Sequence, residues 1–188
     1  MDGHSRVSAD LATQRLPILA LLLVLLPGTG AAPARADDPC SGFRWDISKE
    51  RALFGGTPVT LPAGNSSASA PIVAAQRLYE LHLKPQTAVA FAVAPGKKIT
   101  ADGMYAGLAT LKLAVPGFYR VSVDETAWLD VADKEKLAPV QDYQGQQSCY
   151  APHKIVEFDL TSARRFVLQI SGSANATVRV TVTRAPGA

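Results

Sequence analysis

From Leu78 onward the chain is built of short runs in which every second side chain is apolar, the repeat of a half-buried β-strand rather than of a helix. Residues 78–84 set Tyr79, Leu81 and Leu83 on one side and Glu80, His82 and Lys84 on the other, and 88–93 repeat the pattern with Val89, Phe91 and Val93 inward. Pro95-Gly96-Lys97-Lys98 reads as a turn. A run over 108–113 directs Lys112 outward. After a second turn at Pro116-Gly117, residues 118–124 send Tyr119, Val121 and Val123 to one face and Arg120, Ser122 and Asp124 to the other. A short strand over 127–131 follows. The clearest strands come last: 154–160 with Val156, Phe158 and Leu160 inward, 166–171 with Phe166, Leu168 and Ile170, and 176–183 with Val178, Val180 and Val182. Thr177, Thr181 and Thr183 face the other way, a placement that suits a strand.

Helix signals are few. Ser48 is placed to cap a short helix running to Phe54, and 71–77 is ambiguous. Seven or eight short strands with turn residues between them, and no helical crossovers, predict an all-β fold: one antiparallel β-sandwich domain of jelly-roll type. Two stretches break the rhythm. Gly64–Ala70, rich in small residues, reads as a flexible surface loop, and 132–152 reads as a long one. Long ordered loops in compact domains are often functional, and this one holds Tyr143, Gln144, Gln146, Gln147, Cys149 and Tyr150, with His153 just beyond.

The N-terminus follows a different pattern. Arg6 and Arg15 precede an apolar run over 16–26, too short for a hydrocarbon core that needs roughly 20 residues. Pro27, Gly28 and Gly30 then break any helix, and Ala34-Arg35-Ala36 has the A-x-A form cut by signal peptidase. Residues 1–36 are therefore expected to be a cleaved signal peptide and 37–188 the β-sandwich domain, with the mature protein periplasmic or secreted and not inserted in a membrane. Cys40 follows Asp37-Asp38-Pro39, not the small residue that a lipoprotein anchor requires.

Cleavage there takes three Arg and two Asp from a chain with 19 Lys+Arg and 16 Asp+Glu, leaving 16 against 14. Such a balance argues against a nucleic-acid partner. The two cysteines of the sequence, Cys40 and Cys149, both lie in the expected mature part. An oxidising compartment tends to join an even pair, and neither has a C-x-x-C neighbour, so a Cys40–Cys149 disulfide is expected.

No G-x-S-x-G, G-x-x-x-x-G-K-[ST] or H-E-x-x-H motif occurs, and no catalytic residue or cofactor is implied. One metal alternative is concrete: a two-histidine, one-carboxylate iron site on a cupin-like barrel, with Glu80, His82 and His153 as ligands. Glu80 and His82 share a strand face two residues apart, whereas His153 and Glu157 on one straight strand would stand about 13 Å apart. The other reading is a binding module. Trp128 shares a face with Asp130 and opposes Leu129 and Val131, which leaves its ring free to stack on a ligand, and Tyr143, Tyr150 and His153 join it as candidate ligand-binding residues.

The segments 40–46 (CSGFRWD), 105–111 (YAGLATL) and 151–158 (APHKIVEF) resemble an uncharacterised family of small exported bacterial β-sandwich proteins, over most of the mature chain. Some of its members carry a homogentisate 1,2-dioxygenase label. This chain is much shorter than a true homogentisate dioxygenase and lacks a recognisable iron-ligand pattern, so the resemblance implies an envelope protein. The stretch 116–123 (PGFYRVSV) is similar to a turn-and-strand of extracellular β-sandwich modules, some of them carbohydrate-binding. Together these imply an envelope component or a small ligand, carbohydrate among them, as partner.

Overall fold

A computed structural model describes residues 38–162 and 165–187; the expected signal segment 1–36 lies outside the described residues. In chain order the elements are α1 (Ser48–Phe54), β1 (Val59–Pro62), β2 (Ile72–Ala74), β3 (Leu78–His82), β4 (Lys84–Pro85), β5 (Tyr105–Lys112), β6 (Gly117–Val123), β7 (Trp128–Asp133), β8 (Lys136–Leu137), β9 (Val140–Gly145), β10 (Lys154–Leu160), β11 (Arg165–Ser173) and β12 (Thr177–Arg184). They form an all-β sandwich. One sheet runs β1-β3-β12-β6-β10-β9 and the other β2-β5-β11-β7-β8, with β4 also on β5; neither closes into a barrel.

The period-two pattern explains the core. Tyr79, Leu81, Tyr119, Val121, Val156, Phe158, Val178 and Val180 from the first sheet meet Leu111, Leu129, Val131, Phe166, Leu168 and Ile170 from the second. Most of the pairings are antiparallel, but the short strands β1 and β2 join β3 and β5 in parallel, which makes both sheets mixed. Among the described residues no helix is long and apolar enough to cross a membrane.

Each sheet also has an outer face, and both are covered. Residues 40–56 lie over the first sheet: Phe54 and Ile47 are buried, Glu50 accepts a hydrogen bond from Thr183 Oγ1, and Ile155 on the outer side of β10 is fully buried. There the Arg120 guanidinium stacks 4.3 Å from the Trp45 ring centre and its Nε donates to Glu157 Oε2 at 3.0 Å. Residues 89–99 lie over the second sheet. The side chain of Gln169 pairs with the Val93 backbone, Gly96 N–H donates to Asp130 Oδ2, and Gln86 Nε2 donates to the Ile99 carbonyl. Cys40 and Cys149 form the expected disulfide, with Cα atoms 4.8 Å apart, so the first strap is pinned to the loop after β9.

Four local expectations change. The alternation over 88–93 does not make a strand: Gln86–Ala88 is a 3-10 turn and Val89, Phe91 and Val93 are half-buried in the strap. The segment 132–152 is not one loop but contains the end of β7, all of β8 and the edge strand β9. Gly64–Ala70 is tied rather than slack, with Gly64 bridging Leu108 in both directions and Ser69 Oγ donating to Asn65 Oδ1. Ser48 is the first helical residue rather than the cap; its N–H is taken by the Asp46 carboxylate.

Candidate functional site

The two sheets part along one seam where the start of β7 faces the edge strand β9. Strand β9 pairs with β10 so that Tyr143 stands opposite Val156, a core residue, and Val140 opposite Phe158. This pairing turns both side chains toward the inner face, but at the sheet edge none of the described residues closes over them. Tyr143 is 67% exposed and Val140 49%. Together with Trp128, Leu129, Val156 and Lys154 they line a cleft of about 160 Å³.

Charge gathers at the Trp128 end. The Lys154 ammonium lies 5.1 Å from the centre of the indole ring and that of Lys97 5.7 Å, within the range of a cation–π contact. Lys154 Nζ also donates to the Ala127 carbonyl at 3.0 Å. Burial, and then the neighbouring charge of Lys97, hold the Lys154 pKa below its ordinary value; Asp130 opposes them. Asp130 is itself buried, and burial pushes its carboxyl above the usual range against the hydrogen bond from Gly96. The Trp128 Nε1–H sits beside that carboxylate and favours its ionised form, yet makes no well-formed hydrogen bond and is closed off from solvent.

The structure thus brings two of the four expected ligand-binding residues together, Trp128 and Tyr143. His153 precedes Lys154 but is outside the cleft lining; its Nε2 meets Thr126 Oγ1 at 3.0 Å. Tyr150 is 73% exposed beside the disulfide, also outside the lining. Lys97, Lys154 and Asp130 were not legible as residues of the cleft, because a charge on a strand or in a Pro-Gly turn looks solvated. The available signal was Lys154 falling in phase with the inward residues Val156, Phe158 and Leu160 of its strand.

The residues of the metal alternative divide. His82 Nε2 and Glu80 Oε1 pair at 3.2 Å on β3, both partly exposed. His153 adjoins β10, three strand spacings away across β12 and β6, roughly 14 Å at about 4.8 Å each. Among the described residues no three His, Cys, Asp or Glu side chains group as metal ligands. A scan against protein-family models finds no match for the chain, and a search of curated proteins finds none either.

Proposed function

We propose that this is an exported binding module of the cell envelope, periplasmic or secreted, and that the cleft between Trp128 and Tyr143 holds its ligand. The observation that carries the reading is the open seam: two large apolar side chains, Val140 and Tyr143, stand exposed beside a half-buried indole. Core residues of this type normally close over one another, and an uncovered apolar cleft with a few converging polar groups is the usual form of a small-ligand site. Aromatic rings at such a site give large contact area for little loss of rotamer freedom. The disulfide and the resemblance to exported envelope proteins support the setting; an envelope component or a small sugar-like molecule fits the cleft.

The test uses Trp128 as its own reporter. The sequence has two tryptophans, so a Trp45→Phe background leaves Trp128 fluorescence alone to follow titration with sugars, sugar acids, cell-wall fragments and aromatic acids. Saturable binding that disappears in Tyr143→Ala and persists in His82→Ala supports the reading. Binding that His82→Ala abolishes and Tyr143→Ala spares contradicts it.

A further inference from the structure

The cleft resolves one property of its occupant beyond shape. Its volume of about 160 Å³ is close to the ~150 Å³ known to admit a benzene-sized molecule, so it has room for one ring. Two ammonium groups, Lys97 and Lys154, flank the indole, and one carboxylate, Asp130, stands near them. Even with Asp130 ionised, one positive charge is left over. Asp130 is spent on the Gly96 N–H and closes no ion pair; among the described residues neither Lys97 nor Lys154 forms a salt bridge. Lys154 lines the cleft, and with one of its three N–H groups on the Ala127 carbonyl it has two to offer.

We propose that the cleft selects a single six-membered ring bearing one carboxylate, the ring lying against Trp128 and Tyr143 and the carboxylate on Lys154 Nζ, with Lys97 raising the local potential. This rests on the binding reading of the same cleft. A monoanion matches the one uncompensated charge, whereas a dianionic phosphate overfills it. An ammonium is a point charge that takes a carboxylate through one oxygen. Partial burial makes that contact worth more than on an open surface. Anion binding also offsets both the burial of the Lys154 charge and the smaller repulsion from Lys97 that together hold its pKa down. Sugar acids and aromatic acids share the required chemistry.

The experiment compares paired probes, D-glucuronate with D-glucose and benzoate with benzamide, titrated against the disulfide-bonded protein in the wild-type, Lys154→Met, Lys97→Gln and Trp128→Ala forms. Expected is an acid that binds at least roughly tenfold more tightly than its neutral partner. Lys154→Met removes the preference, so that the acid binds no more tightly than its neutral partner. Lys97→Gln, an exposed change that spares the fold, weakens only the acid, about two- to threefold, and added salt does the same. Whichever acid binds identifies the source. If neutral partners bind as tightly as acids and Lys154→Met changes nothing, while Trp128→Ala abolishes binding, charge selection is overturned and the cleft remains a binding site. If no probe binds any form, both the selection and the cleft's role fall.

Discussion

Gln169 holds Val93 as one strand holds another. Its Oε1 accepts from the Val93 N–H at 3.0 Å and its Nε2 donates to the Val93 carbonyl at 3.0 Å, so one buried side chain on β11 supplies both bonds of a ladder rung. This fastens the 89–99 strap to the outer face of its sheet and thereby places Lys97 over Trp128.

Gln169→Leu keeps the bulk and removes both bonds, leaving the Val93 N–H and carbonyl without partners. The protein is expected to lose about 2 kcal/mol of stability, since each orphaned group costs roughly 1–3 kcal/mol and the strap can lift to recover water. Chemical denaturation measures the loss. Amide exchange at Val93 is expected to accelerate together with it, and unchanged exchange there contradicts the assigned role.

The strands that built the core were legible because every second position in them is apolar, and those positions in β6, β10, β11 and β12 are buried between the sheets. The same rule misread 88–93. A strap lying flat on a sheet also points every second side chain down, so alternation marks contact with an apolar surface and not strand pairing. Arg120 and Asp130 fell on outward faces that are in fact covered: nothing local announces that 40–56 and 89–99 return over both sheets. Trp128 and Tyr143 were legible as aromatics that the pattern did not bury. Their meeting across a seam was not, because it depends on β9, hidden in a polar stretch taken for a loop.

Gly172 has φ near +66°, a region L side chains rarely enter, and a Cβ there would strike Ile99 of the strap. Gly172→Ala is therefore expected to destabilise by about 1–3 kcal/mol, through backbone strain and displacement of Ile99. Thermal unfolding tests it. A neutral or stabilised variant rules out the close packing of β11 on the strap.

The disulfide ties residues 109 positions apart and anchors the strap over the first sheet. Cys40→Ala/Cys149→Ala is expected to lower stability by roughly 2–5 kcal/mol, mostly by freeing the unfolded chain. Urea unfolding of the oxidised protein against the double variant gives the difference. A loss well under 1 kcal/mol contradicts the strap's dependence on the bridge.

Lys154 predicts a stability gain on mutation. Its pKa is depressed in the fold, by burial first and then by Lys97, from the ordinary 10.5. The unfolded chain therefore holds this proton more tightly, and the contribution of Lys154 to stability, present above pH 10.5, is lost as pH falls through the depressed value. At pH 7 the charged ammonium is a burden, so Lys154→Met is expected to be more stable by up to about 1 kcal/mol, the partial exposure of the group limiting the gain. The advantage shrinks as pH climbs toward 10.5. Melting curves at pH 7 and pH 9.5 decide, and a variant less stable than wild type at pH 7 contradicts the burial of a strained charge.

The central claim is that the seam between β7 and β9 is where this protein meets its ligand. Amide and indole NMR of the ¹⁵N-labelled, disulfide-bonded protein, titrated with the sugar acids and aromatic acids, tests it residue by residue. The account predicts saturable shifts centred on the Trp128 indole Nε1–H and on the amides of Trp128, Tyr143 and Lys154, with Glu80, His82 and Tyr150 still. Shifts centred on Glu80 and His82, or on the disulfide loop at Tyr150, with the Trp128 indole unmoved, contradict it.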